Sequence, residues 1–344
     1  MTQPVRLYAL DYLRGLSAAG IMVFHFVSFT YGAPDAHATL GRWGLYGVSV
    51  FYVISGLTLA HVYKDSLLPT RKSLLLFYSR RAFRIFPLFI AVTLMSVFIV
   101  KKHFSIYDIF MNITGLFGPF DHANNIALGS WSIGNELCFY LLFPWMIYIA
   151  RKRTSYFISL IALVLIAYVA FAFWAKAEFA SISDFWYWYI HPLNQAFLFM
   201  AGVAIAFYYS ASTRIEYAFI LLAIGCALFA FWPGSGDRIT LVTGFSRLVL
   251  SSSVILMAMC FYTLPKASGL LHAVLHFLGE TSFSVYMLHN IVWVILSALI
   301  QYSGFILEGT PKILAAVTLT IATSYVAYQF FEKPCIKLGH RINE

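Results

Sequence analysis

The chain has 344 residues, of which 61% are hydrophobic and 11% are charged. A soluble domain carries about 25% charged residues, and no water-soluble fold can hide this much apolar surface. The composition therefore excludes a cytosolic enzyme, a secreted disulfide scaffold and a disordered regulator, and it places the protein in a lipid bilayer.

Apolar stretches with the length of membrane-spanning helices recur along the whole chain. A helix that crosses the hydrocarbon core needs about 20 apolar residues. The sequence thus predicts an all-α, polytopic integral membrane protein with about ten transmembrane helices. It also predicts one domain, residues 1–344, with no appended soluble domain. The ten candidates lie near 8–29, 44–63, 86–100, 133–150, 157–175, 190–209, 215–232, 240–263, 283–302 and 312–331. The third is short, and we expect its helix to begin earlier.

The basic residues indicate how these helices are oriented. With the N-terminus placed inside, 15 of the 23 Lys and Arg residues fall in inside segments and 6 fall in outside segments. Because cytoplasmic loops carry an excess of Lys and Arg, we expect both termini in the cytoplasm. This topology accounts for the net charge of +9, and no nucleic-acid partner is expected.

The first predicted span carries three ionisable residues, which are functional candidates because a charge in hydrocarbon is costly. Arg14 and His25 are eleven residues apart, so they share one helical face and are separated by about 16 Å along the axis. Asp11 lies three residues before Arg14 and can pair with it. Arg14 is then near the cytoplasm and His25 near the outer leaflet. An Asp11–Arg14 ion pair at a helix end, with His25 near the lipid headgroups, explains these residues equally well without catalysis.

A basic segment leads into the third predicted span. Arg80, Arg81 and Arg84 lie at its cytoplasmic end, where basic residues commonly anchor a span. Guanidinium groups also match the geometry of phosphates. The segment is therefore either a topological anchor or a site for a cytoplasmic polyanion.

Two further predicted spans contain polar residues. Glu136, near the outer end of the fourth span, is expected at the depth of His25, where a carboxylate can orient an imidazole; it can equally bond a helix end. Ser132 precedes it by one turn. Tyr286 and His289 share a face of the ninth span, and we expect His289 about 10 Å into the bilayer from the cytoplasmic side. There it either bonds a neighbouring helix or lines a channel.

Together and in this order, these segments resemble the motifs of the acyltransferase 3 family, membrane enzymes that O-acylate bacterial cell-surface glycans and related acceptors. Arg14 followed by His25 looks like the family's Arg-x10-His pattern, and the segment 80–87 looks like its basic motif. Ser49 stands where many relatives carry an acidic residue, so we give it no catalytic role. The other matching segments are 47–56, 131–140, 284–289 and 331–334.

The resemblance implies that an acyl group, with acetyl expected, passes from cytoplasmic acyl-CoA to a hydroxyl of an extracytoplasmic acceptor such as a polysaccharide sugar. It implies a multi-pass protein of the bacterial inner membrane whose partners are acyl-CoA, the acceptor and lipid, with no metal. Arg80, Arg81 and Arg84 would hold the CoA phosphates while the pantetheine arm follows the first helix to His25. His25 would be the general base, and Glu136 would orient His25 or the acceptor. The residues that line or support the donor channel would be Asp11, Arg14, Ser132, Tyr286 and His289.

Two other classes of protein remain open. Buried ionisable residues can form the proton relay of a secondary transporter, although such transporters show repeated halves that this sequence lacks. His289-Asn290 imitates the histidine of the other large class of membrane-bound O-acyltransferases. In that class, however, the Arg-x10-His and basic motifs would have no role.

Overall fold

The computed structural model describes residues 6–99, 103–210 and 214–341, and within these ranges it contains helices and no strand. The prediction of an all-α fold is confirmed. The helices are α1 (Tyr8–Tyr31), α2 (Thr39–Tyr63), α3 (Arg71–Ile99), α4 (Ile106–Thr114), α5 (Phe117–Phe120), α6 (Trp131–Lys152), α7 (Thr154–Glu178), α8 (Ile182–Tyr189), α9 (Pro192–Tyr208), α10 (Ile215–Phe231), α11 (Gly244–Thr263), α12 (Gly269–Ser303), α13 (Gly309–Ala327) and α14 (Lys333–Arg341). A 3-10 turn spans Arg238–Leu241, and a π-helical turn, Tyr328–Glu332, joins α13 to α14.

Within the described ranges, eight helical segments are long and apolar enough to cross a membrane: α1, α2, α3, α6, α7, α11, α12 and the joined α13–α14. α8 and α9 meet at 65° and form a ninth span if they cross together. The prediction near 215–232 corresponds to α10, whose 17 residues are short for a span. The structure thus shows a multi-pass membrane protein with eight or nine candidate spans.

Two helices begin well before the apolar stretches that predicted them. α3 begins at Arg71 rather than near residue 86, and α12 begins at Gly269 rather than near residue 283. Their added turns carry polar residues such as Arg80 and Glu280, because a helix outside the hydrocarbon core no longer needs apolar side chains. The predicted end of the third span, residue 100, lies outside the described residues.

α1 and α12 run side by side in the same direction and touch at two glycines. A Cβ added at Gly15 would lie 2.6 Å from the backbone nitrogen of Gly279, and one added at Gly279 would lie 2.5 Å from the carbonyl oxygen of Asp11. Glycine permits this approach because it has no side chain. His25 and His289 each follow ten residues after their glycine, so an equal rise along two parallel helices brings both rings to the same level.

α2 lies at the centre of the bundle. About 78% of its most apolar 18-residue stretch is buried, compared with 22% for α7. The helix contacts α1, α6, α9 and α11. A central helix can carry hydroxyl side chains, such as that of Ser55, because its neighbours supply hydrogen-bond partners. α2 therefore provides a polar wall between α1 and α6.

Candidate active site

A cavity of about 510 Å³ lies between α1, α2, α3, α6 and α12. This volume falls within the range of about 300–1,000 Å³ that is usual for small-molecule sites. Three of the residues singled out from the sequence, Arg80, His25 and His289, do not line it. Those that do are Asp11, Arg14, Arg81, Arg84, Ser132, Glu136 and Tyr286.

The end of the cavity nearest the start of α1 is rich in charge. Arg14 donates to Asp11 at 2.8 Å, which is the pair that the sequence predicted. Arg6 donates to Asp11 at 3.0 Å and reaches Glu280 at 3.4 Å. These contacts tie the segment before α1 to α12. The carboxylates of Asp11 and Glu280 also raise the pKa of Arg6, although its partial burial opposes this shift.

Two arginines of α3 complete this charged end. Arg81 and Arg84 line the cavity, and the Nε of Arg81 is buried without a hydrogen-bond partner in the described ranges. Arg80 was predicted to act with them but is absent from the lining. One residue turns a helix by about 100°, so Arg80 and Arg81 diverge, and the cavity lies on the side of Arg81.

Glu136 lies in the wall of the cavity and is held by two hydroxyl groups. Ser55 donates to its Oε1 at 2.6 Å, and Tyr140, one turn further along α6, donates to the same oxygen. The expected contact between Glu136 and His25 is not formed, because α6 presents this carboxylate to Ser55 on α2. A role for Glu136 as the group that orients His25 is therefore not supported by its contacts.

Tyr286 closes the end of the cavity opposite the arginines. Its hydroxyl lies 2.7 Å from the Oγ of Ser132 and donates to the carbonyl oxygen of Gly129 at 2.9 Å. Phe51 packs edge-on against its ring, with the centroids 5.6 Å apart. The passage that the sequence predicted from the cytoplasm to His25 thus stops at Tyr286 in this structure.

Two histidines lie just beyond this closure. The Nδ1 of His25 is 2.8 Å from the Nε2 of His289, and the rings stack with centroids 5.0 Å apart. His289 is buried, and its ring centroid lies 6.1 Å from that of Tyr286. The prediction that His25 and His289 lie near opposite sides of the bilayer was wrong, because α12 begins at Gly269 and reaches the level of His25 ten residues after Gly279.

Among the lining residues that the sequence reasoning missed, four bear directly on the predicted ones: Arg6, Ser55, Tyr140 and Glu280. Arg6 was treated only as a topological signal, and the polar partners of Glu136 and Arg6 were not recognised. Ser55, Tyr140 and Glu280 all lie inside or next to the motif segments, but the motifs do not show which helices are neighbours. Their proximity to predicted site residues was the only signal available.

The arrangement suits an elongated ligand with phosphates at one end and a carbonyl group at the other. Guanidinium groups bind phosphates, and hydroxyl groups such as those of Tyr286 and Ser132 can donate to a carbonyl oxygen. Across residues 6–99, 103–210 and 214–341, no three His, Cys, Asp or Glu side chains gather as metal ligands.

Comparisons with known proteins identify the family of this chain. A family model described as an acyltransferase domain matches residues 7–329. The chain is 24% identical to acyltransferase MdmB of Streptomyces mycarofaciens over 97% of this chain and 92% of MdmB. It is 23% identical to O-acetyltransferase OatA of Staphylococcus aureus over 99% of this chain, which spans 59% of the length of OatA. No solved structure matches the chain. The chain therefore belongs to the acyltransferase 3 family and is a membrane O-acyltransferase, as its motifs predicted.

Proposed function

We propose that this protein transfers an acyl group, with acetyl expected, from cytoplasmic acyl-CoA to a hydroxyl of an extracytoplasmic polysaccharide or similar surface acceptor. One observation carries the proposal: a cavity with guanidinium groups at one end stops at Tyr286, directly beside the His25–His289 pair. The names of MdmB, an acyltransferase, and OatA, an O-acetyltransferase, support the class of reaction.

The donor is chosen by its match to the cavity. Acyl-CoA carries phosphates at one end and a thioester at the other, so Arg6, Arg81 and Arg84 suit the phosphates. Arg14 precedes His25 by about 16 Å along α1, which is of the same order as the pantetheine arm. A donor bound in this way directs its thioester toward Tyr286 and the histidines.

The chemistry is acyl transfer assisted by a general base. His25 takes the proton of the acceptor hydroxyl, and the oxygen of that hydroxyl attacks the thioester carbonyl carbon. The hydroxyl groups of Tyr286 and Ser132, which both donate to the Gly129 carbonyl in this structure, turn from it to donate to the thioester carbonyl oxygen as that oxygen becomes negative. The tetrahedral intermediate then releases the CoA thiolate. The thiolate takes from His25 the proton that came from the acceptor hydroxyl, and it leaves as a thiol. Tyr286 lines the cavity, His25 does not, and the Tyr286 ring lies 6.1 Å from that of His289, so the Tyr286 side chain has to turn as the thioester approaches His25.

The orientation follows from the distribution of charge. The excess of Lys and Arg in alternate segments favours cytoplasmic termini, which places the arginine end of the cavity at the cytoplasm. We propose that the protein resides in the bacterial inner membrane and that His25 meets its acceptor from the opposite side. The half-buried state of His25 is consistent with such access.

Mass spectrometry of surface polysaccharides tests the proposal. Cells that express the wild-type chain should carry O-acyl groups that are lost with His25→Ala and kept with His37→Ala, a matched control at an exposed histidine. Protein amount in the membrane is measured in each strain. Full O-acylation with His25→Ala would contradict the mechanism. Transport of a solute without covalent transfer of label from acetyl-CoA would favour a transporter.

A further inference from the structure

The hydrogen bonds of the two histidines form a chain that begins at a backbone carbonyl. The Nδ1 of His289 lies 3.0 Å from the carbonyl oxygen of Val285, four residues earlier in α12. The Nε2 of the same ring lies 2.8 Å from the Nδ1 of His25. Both nitrogens of His289 are thus engaged, whereas the Nε2 of His25 makes no hydrogen bond within the described part of the chain.

The first partner fixes where the protons sit. A carbonyl oxygen can only accept, so the Nδ1 of His289 carries a proton and donates it to Val285. No carboxylate among the described residues forms an ion pair with either ring, so His289 has no counter-charge and is neutral. Its Nε2 therefore carries a lone pair and accepts from His25. It follows that His25 is protonated at Nδ1 and has its lone pair at Nε2.

The packing of α1 on α12 holds this arrangement in place. The close contact of Gly15 with Gly279 sets the two helices in register, and His25 and His289 stand ten residues beyond it. Further along the same two helices, Phe26 of α1 stacks on Trp293 of α12, with their ring centroids 5.1 Å apart. His289 has about 1% of its surface exposed, and both of its ring nitrogens are engaged, so a turn of its ring would break these contacts.

We propose that His289 is a positioning residue that holds His25 in the tautomer whose Nε2 can act as a base. This inference rests on the proposed function, because it gives His25 its catalytic role. When Nε2 takes the proton of the acceptor hydroxyl, His25 becomes an imidazolium whose Nδ1–H still donates to His289. Nε2 later donates the same proton to the CoA thiolate, and His289 remains neutral throughout. His289 thus plays the orienting part that an aspartate plays in a Ser-His-Asp triad.

Two substitutions of similar size separate positioning from structure. In His289→Gln, the amide group reaches the place of the imidazole Nε2 and its oxygen can accept from His25. In His289→Asn, the amide reaches only the place of Nδ1, so the hydrogen bond to Val285 can remain but the one to His25 is lost. With acetyl-CoA as donor, we expect His289→Asn to lower kcat by about 10²- to 10⁴-fold, the scale of an incorrect tautomer, with an unchanged KM for acetyl-CoA. His289→Gln should lose less than the roughly 10²-fold that a misplacement of about 1 Å can cost, because its amide oxygen still accepts from His25. Equal losses in the two variants would overturn the proposal.

A spectroscopic measurement does not depend on activity. In protein labelled with ¹⁵N-histidine, the signal of His25 is assigned by its disappearance in His25→Gln. We expect the Nδ1–H tautomer in the wild type and in His289→Gln, and a mixture of tautomers in His289→Asn. An Nε2–H tautomer in the wild type would overturn the inference. If the wild type shows the Nδ1–H tautomer but transfers no acyl group, the proposed function fails while the hydrogen-bond arrangement and the tautomer of His25 stand.

Discussion

Two neighbouring arginines of α3 provide a matched test of the donor site. Both have a buried Nε without a partner in the described ranges, but Arg81 lines the cavity and Arg80 does not. Arg81→Ala and Arg80→Ala thus remove the same charge and the same side chain from adjacent positions of one helix. We expect only Arg81→Ala to weaken the binding of CoA.

The magnitude follows from the loss of one charge-assisted contact to a phosphate. A hydrogen bond to a charged group contributes about 1.5–3 kcal/mol, and about 1.4 kcal/mol corresponds to a factor of ten in Kd. The Kd for CoA should therefore rise by about 10- to 150-fold in Arg81→Ala. Arg80→Ala removes only a more distant charge, worth about 0–1 kcal/mol near the surface, so its Kd should rise by less than about fivefold.

Calorimetric titration of CoA into protein in lipid nanodiscs measures both variants directly. Arg81 has no hydrogen bond at Nε to lose, so its replacement should leave the thermal midpoint Tm near that of the wild type, and Tm serves as the control for folding. The reasoning would be refuted by equal Kd values for wild type and Arg81→Ala, or by an Arg80→Ala variant that binds as weakly as Arg81→Ala.

Three further substitutions test the packing and the closed end of the cavity. Gly279→Ala should lower Tm in detergent, because its methyl group would lie 2.5 Å from a carbonyl oxygen of α1. Gly20→Ala, whose methyl group would meet an indole ring at 3.4 Å, should leave Tm unchanged. Equal Tm values for the two variants would count against the close contact. Tyr286→Phe should lower kcat by about 10²- to 10³-fold, the scale of a lost hydrogen-bond donor to a developing oxyanion, without raising the KM for acyl-CoA. An unchanged kcat would show that its hydroxyl is dispensable. Arg42→Met should destabilise the fold by about 2–5 kcal/mol, because the buried guanidinium donates to two carbonyls at the end of α10. A denaturant unfolding curve that matches that of the wild type would contradict this role.

Hydropathy predicted the membrane spans because the bilayer demands long apolar helices, but it showed only the apolar part of each helix. The polar beginnings of α3 and α12 carried no such signal. For α12 this mattered, since fourteen residues of unrecognised helix moved His289 from the cytoplasmic side to the level of His25. The depth of a residue is reliable only when both ends of its helix are known.

Most of the candidate residues singled out from the sequence do line the cavity, but the sequence did not identify their contacts. Periodicity along a single helix placed Asp11 beside Arg14 correctly, because a pair three residues apart depends on one helix alone. The partner of His25 depends on which helices are neighbours. The expected partner, Glu136, bonds Ser55 instead, and His289 takes its place. The two glycines that set α1 against α12 were visible in the sequence, but only the fold shows that they meet.

Transfer across the membrane is the central claim, and a sided assay in proteoliposomes tests it most directly. Protein is reconstituted in one orientation, labelled acetyl-CoA is supplied on the side of the termini, and a hydroxyl-bearing glycan acceptor is enclosed on either side. We predict labelled ester only when the acceptor lies on the side opposite the donor, and none in either arrangement with His25→Ala. Labelled ester on the same side as the donor, or undiminished transfer by His25→Ala, would contradict the account.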